Sequence, residues 1–333
     1  PPEAGSFSVP EFPVAIELGE LSIPKVTFGE GVFGLGSEIS LAGNLKLDGG
    51  NLDTTLDIVR LDGPGGTLDL DLKYARDSNE INLNLDLNEP ENGVLANLLS
   101  IEGRPAMQLT LAGQGPVADL RADLNLLANG QTALSGVSTI TQNADGFLVD
   151  ANLGGPLSTL IAEQYRPFFG ADTRLTANAL LRNAGGFDLN ALNISGGQLA
   201  LEATASTTAD NFLSRLDLKA SIADPQGGLV TLPAAGTTQV RAAQFVIDFG
   251  EDGSEDWHAD LGIDGLVTGE FSAERVGLNV NGVASDLADP AKRMITFNGD
   301  GTVSGITGDE AVIAALGDSV GLGLAGLWNA GQP

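Results

Sequence analysis

The chain has 333 residues, 42% of them hydrophobic, with 44 acidic against 16 basic side chains and a formal net charge of -28. That length suits one large or two ordinary domains, and a mean hydropathy of +0.10 excludes a disordered polyelectrolyte. The charge repels phosphate backbones and argues against nucleic acid as a partner, while the lack of cysteine excludes disulfides and thiolate metal sites. The chain opens on Pro1 with neither an initiator methionine nor a signal peptide, and it reads as a fragment of a longer one.

Apolar and polar residues alternate along most of its length, as strands with one dry and one wet face require. The pattern starts at Val14, Ile16 and Leu18 and recurs at Ile39, Leu41, Leu45 and Leu47. It continues through Leu68, Leu70, Leu72 and Tyr74 to Ile81, Leu83, Leu85 and Leu87, where Asn82, Asn84, Asp86 and Asn88 take the other face. Met107, Leu109 and Leu111 follow, then Leu120, Ala122, Leu124 and Leu126, then Leu175 to Leu181. Leu199, Leu201, Ala203 and Ala205, then Phe245, Ile247 and Phe249, then Leu278 and Val280 complete the series. Turn sequences such as LDGG, GPGG, NADG, NAGG and EDGS separate these segments and supply positive φ values for hairpins. About twenty such segments predict a meander of antiparallel hairpins.

Helical spacing predicts three inserts, at 92–103, at 155–165 with Pro167 as its stop, and at 308–319. The apolar stretch from Ala311 to Trp328 is broken by Asp318 and four glycines, and reads as a helix followed by strand or loop rather than a membrane span. No linker divides the chain. A sandwich or barrel normally closes within about 100–250 residues. The expectation is therefore all-β: an elongated, curled antiparallel sheet forming one continuous array over residues 1–333, with a few short helical inserts. Its apolar face becomes a channel lined by Leu68, Leu70, Leu72, Ile81, Leu83, Leu85, Leu87, Leu109, Leu111, Leu124, Leu126, Leu199 and Leu201.

Motifs for catalysis are weak. Gly29, Gly31 and Gly34, and again Gly321, Gly323 and Gly326, match the dinucleotide glycine spacing without the required strand-to-helix context. The acidic run Asp248–Asp256 resembles a calcium loop, but Gly250 and Ala259 occupy ligand positions, so it reads as a hairpin tip. Asp69 and Asp71 share a strand face at carboxylate-pair spacing, yet Asp and Asn alternate with Leu throughout, so a solvated pair is expected. His258 is the sole histidine, which leaves no basis for a metal site, and Asn193 lies in a bare glycosylation triplet.

The order of segments nevertheless has a character of its own. It runs from FSVPEFPVAIELGELSIPKVTFGEGVFG (7–34) through LNLDLNEPENGVLANLLSIEGRPAMQLTLAGQGPVADLRADLNLLANG (83–130). GGPLSTLIAEQYRPFFGADTRLTANALL (154–181) and ADPQGGLVTLPAAGTTQV (223–240) come next. In these segments the chain resembles the periplasmic body of the TamB family, the translocation and assembly module subunit of Gram-negative envelopes. The resemblance implies a β-taco, or repeating β-groove, with an apolar interior. It further implies a parent chain anchored in the inner membrane by an N-terminal helix outside this fragment. A barrel partner of the TamA type in the outer membrane would be met through other missing parts.

These readings converge on a periplasmic conduit that carries phospholipid between the two membranes. Acyl chains would lie on the leucines, with no enzyme activity, cofactor or metal involved. Two alternatives stay open: a chaperone or scaffold for outer-membrane protein insertion, and a structural β-stalk with a packed interior.

Overall fold

The computed structural model describes residues 15–99, 101, 103–161, 163–233, 237–309 and 317–330. Val14 and the middle of the helix expected at 308–319 lie outside the described residues. The chain divides into two compact units, Pro1–Arg166 and Pro167–Pro333. Each is an open antiparallel sheet, so the fold is all-β with short helical inserts.

In the first unit β1 (Ile16–Phe28), β2 (Ser37–Asp48), β3 (Asn51–Arg60), β4 (Thr67–Ala75) and β5 (Glu80–Glu89) pair in sequence order. β6 (Met107–Pro116), β7 (Asp119–Ala128), β8 (Gln131–Gln142) and β9 (Gly146–Gly155) extend the meander. The outer strand β1 carries register shifts between Leu18 and Leu21 and between Ile23 and Val26, the second at Pro24. A bulge and a proline there are devices that discourage further pairing on a sheet edge.

Two helices interrupt this meander, α1 (Glu30–Phe33) between β1 and β2 and α2 (Val94–Leu98) between β5 and β6. α2 is shorter than the insert expected at 92–103. Gly93 at its N-cap offers no side chain, and the cap comes instead from Glu89, whose carboxylate accepts the Val94 and Leu95 N–H groups at 3.0 and 2.7 Å. The insert expected at 155–165 is two 3-10 turns, Leu157–Leu160 and Glu163–Tyr165. Pro167 does not stop a helix. It sits in the first turn of α3 (Arg166–Phe169), where its missing N–H costs nothing.

The second unit begins β10 (Thr173–Arg182), β11 (Phe187–Gly196), β12 (Leu199–Thr207) and β13 (Leu213–Ala223). A small hairpin, β14 (Val230–Thr231) and β15 (Gln239–Val240), leaves the main order. β13 then pairs with β16 (Ala242–Phe249), followed by β17 (Asp256–Val267), β18 (Phe271–Ser285) and β19 (Met294–Ser304). The short β20 (Thr307–Gly308) pairs with β18, and β21 (Ser319–Asn329) pairs with β19. Residues 308 and 319 are thus strand rather than helix, and no described helix is long and apolar enough to cross a membrane.

Each sheet is curled. In the first unit a Cβ on Gly34, just past α1, would fall 2.7 Å from Nδ2 of Asn97 in α2, although β3 and β4 separate the strands that carry them. Gly43 and Gly136 allow close strand approach: a Cβ would lie 2.4 Å from the Thr55 carbonyl oxygen at the first and 2.0 Å from that of Asn152 at the second.

The main clusters of mutually packed buried side chains lie at one end of each apolar face, while Tyr74, Val117 and Leu120 in the first unit and Ala203, Ala205 and Ala284 in the second are buried away from them. In the first unit Ala96, Ile101, Met107, Leu126, Ala128 and Ala133 form a plug under α2. In the second, Phe168, Val230 and Val240 do the same, so α3 and the β14–β15 hairpin serve as its lid. Met107→Ala should therefore cost about 2–5 kcal/mol. Leu85→Ala, on the half-buried floor, should cost on the order of 1 kcal/mol. Denaturant titration of both variants checks this contrast.

Candidate functional site: the apolar sheet faces

Antiparallel register decides what the alternating leucines meet. Leu56, Leu70, Leu85, Leu111 and Leu124 stand directly opposite one another on five successive strands. Beside them run Ile58, Leu68, Leu87, Leu109, Leu126 and Leu134. Leu72 pairs with Leu83, and Tyr74 with Ile81. The first two rows are thus unbroken and apolar, crossing strands spaced about 4.8 Å apart, whereas the Leu72–Leu83 row meets Thr54 on β3 and Gly113 on β6. Leu68, Leu70, Leu72, Ile81, Leu83, Leu85, Leu87, Leu109, Leu111 and Leu124 are only half-buried, while Leu126 is buried in the plug. Leu109 and Leu124 also pack against that plug. The open floor therefore centres on β4 and β5.

Leu199 and Leu201 lie on β12 of the second unit, each on its own row. Leu199 meets Ile222, followed by Ala243, Ile263 and Val276, and packs on the plug. Leu201 meets Ile194 and Ala220, and the row continues through Phe245, Leu261 and Leu278. A further row reads Leu216, Phe249, Trp257, Gly282, Phe297 and Gly326. Here aromatic rings cover neighbouring glycines: a Cβ on Gly282 would meet the Trp257 indole at 2.3 Å, and one on Gly326 the Phe297 ring at 2.2 Å. Glycine leaves room for the ring, and the ring restores apolar cover.

At the end of this face remote from the plug, two loops meet. Arg293, between β18 and β19, donates from Nη2 to both carboxylate oxygens of Asp210, between β12 and β13, at 2.6 and 2.7 Å. Its Nε donates to the Leu287 carbonyl at 2.8 Å, and its guanidinium lies 4.2 Å from the Phe212 ring centroid. Phe212 in turn stacks on Trp328 of β21 with centroids 6.2 Å apart. On a flat sheet β13 and β18 would stand about 14 Å apart, three strand spacings of ~4.8 Å. The clasp exists because the sheet curls. Sequence reasoning missed Phe212, Trp257 and Arg293; the available signal was the scarcity of aromatics, 5% of the chain, against their clustering here.

The opposite faces are wet. Asp57, Asp69 and Asp86 form a cross-strand row, and Asp71 lies between Thr55 and Asn84. Partial desolvation, hydrogen bonding and repulsion from Asp57, and repulsion from Asp86 hold Asp69 above its ordinary pKa of 3.8. His258 bonds Asn281 through Nδ1 at 3.0 Å and pairs with Asp260; the Asn281 bond, then Asp260, raise its pKa. Asn193 is exposed on β11 between Thr176 and Glu202. Gly29 is the N-cap of α1 and Gly34 its left-handed C-cap, while Gly321, Gly323 and Gly326 lie within β21. The acidic run from Asp248 forms the β16–β17 turn. No group of three or more potential metal ligands occurs among the described residues.

The Asp69 environment has a testable sign. Because its folded pKa lies above 3.8, the penalty appears as pH rises through 3.8 toward the folded value and persists above it. Asp69→Asn should raise the Tm at pH 7, and the gain should vanish below pH 3.8, in thermal melts across pH 3–8.

No protein-family model, no curated protein and no solved structure matches this chain.

Proposed function

We propose that this chain is part of a periplasmic conduit in which phospholipid acyl chains lie along the apolar sheet faces while headgroups stay in water. One observation carries the reading: apolar rows run unbroken from strand to strand, yet remain half-buried on β4 and β5. A packed stalk would bury those leucines. An acyl chain laid on them recovers about 0.8 kcal/mol per CH₂ removed from water, and successive positions are nearly equivalent. Movement along the rows therefore needs no chemical step, cofactor or metal. On this reading the chain belongs with the TamB-like proteins it resembles. It would carry phospholipid between inner and outer membranes, with membrane anchor and TamA-type barrel contact supplied by other parts of the parent protein.

A second reading draws on β21, where Leu322, Leu327 and Trp328 are 55, 63 and 45% exposed and β19 is the strand partner. Such an edge suits pairing with strands of outer-membrane proteins by β-augmentation. Saturable binding of barrel-strand peptides without lipid capture would favour that role.

A photo-crosslinking amino acid at Leu85 tests the conduit. It should capture phospholipid in cells, and Leu70→Asp beside it should sharply reduce that capture with only a modest fall in Tm. Leu109→Asp should unfold the protein more severely, because Leu109 packs on the plug. Equal, near-complete unfolding by both aspartates, with no lipid captured, would mean that the leucines cover only one another.

A further inference from the structure

On the wet face of the second unit, polar side chains of β17 and β18 close a ring. His258 lies opposite Asn281, and Asp260 lies opposite Asn279. Asn279 donates from Nδ2 to Asp260 at 2.6 Å, and Asn281 donates from Nδ2 to Oδ1 of Asn279 at 2.6 Å. Oδ1 of Asn281 stands 3.0 Å from Nδ1 of His258, whose Nε2 returns to the other oxygen of Asp260. The ring ties together strands whose dry side carries Trp257 and Gly282.

An ionised carboxylate only accepts hydrogen bonds, and that fixes every orientation in turn. The group of Asn279 that meets Asp260 must be its NH2, which leaves its oxygen toward Asn281. Asn281 must present its own NH2 there, which leaves its oxygen toward Nδ1. Nδ1 must therefore carry a proton, and so must Nε2, which faces Asp260. The closed ring has one protonation state, the imidazolium. A neutral imidazole would set one bare nitrogen against an oxygen, whichever tautomer forms. Turning Asn281 would only pass the clash to Asn279 and then to Asp260. The surroundings favour the cation: Asp248 stands opposite on β16, Asp256 lies two residues earlier on β17, and Glu251 is in the turn between those strands. On β18 the facing residues are Asn279, Asn281 and Val283, with Asp300 of β19 beyond Asn279. Lys219 on β13, beyond Val246, is paired with Asp217 at 3.5 Å. We propose that His258, Asp260, Asn279 and Asn281 form a pH-sensitive lock across β17 and β18, closed while the imidazole holds both protons and open once it loses one. The lock stands independently of the conduit reading.

His258 is the only histidine, so nitrogen NMR of the imidazole follows a single titration. Both ring nitrogens should still be mostly protonated at pH 6.5, with a midpoint above that value. Asn279→Ala is the sharp test, because Asn279 is uncharged and bonds Asp260 and Asn281 rather than the imidazole. Without it Asn281 can turn its NH2 toward a neutral Nδ1, and the proton affinity of His258 should fall roughly threefold. Stability follows the same sign. Because the folded pKa lies above 6.5, the lock contributes fully below pH 6.5 and is lost as pH rises through the folded value. The excess Tm of the parent protein over His258→Gln should therefore be largest below pH 6.5 and shrink above it. A parent midpoint at or below 6.5 overturns the lock. So does a midpoint that Asn279→Ala leaves unmoved, or a Tm difference indifferent to pH. Should either variant fail to fold, the parent titration decides alone.

Discussion

Antiparallel register is the constraint on which the rest of this structure depends. A one-residue slip would turn every leucine to the wet face, so hairpins must hold the strands in step. They do so over five successive strands, putting Leu56, Leu70, Leu85, Leu111 and Leu124 in one line. Isolated apolar stripes thereby become a surface. Aspartate and asparagine form the matching rows behind it, which is how a chain of net charge -28 presents an apolar face at all.

Such a face must be bounded, and each sheet bounds it by curling. In the first unit Gly43 and Gly136 permit close approach of strands, and α1 and α2 come together across β3 and β4. In the second, Arg293 reaches Asp210 across 83 residues of sequence, and rings over Gly282 and Gly326 keep the floor apolar where the backbone has no side chain. The largest buried clusters lie at one end of each face, and the leucine rows on β4 and β5 stay half-buried. The division of labour is spatial: buried Met107 holds the fold, and half-buried Leu85 offers a surface.

Much of this was legible in the amino-acid sequence, because period-two alternation and glycine-rich turns are local signals. Leu68 to Leu72 and Ile81 to Leu87 form the strands they predict, on one face and in register. What escaped detection is non-local. Glu89 reads as the last residue before a turn, yet it shares the apolar face and caps a helix five residues on. Pro167 reads as a terminator because local spacing cannot tell the end of one helix from the first turn of the next. Nothing near Asp210 announces Arg293. The plugs are hidden for a related reason: Ala96, Ala133 and Val240 become core only through what curls over them.

The central claim is that the apolar rows are covered by lipid and not by protein. Native mass spectrometry of the protein purified from a Gram-negative envelope in mild detergent tests it most directly. The account predicts adducts of phospholipid mass, lost when Leu70 and Leu85 are both changed to aspartate in a protein that stays folded. A bare, fully folded chain with no adduct before or after the double substitution would contradict it.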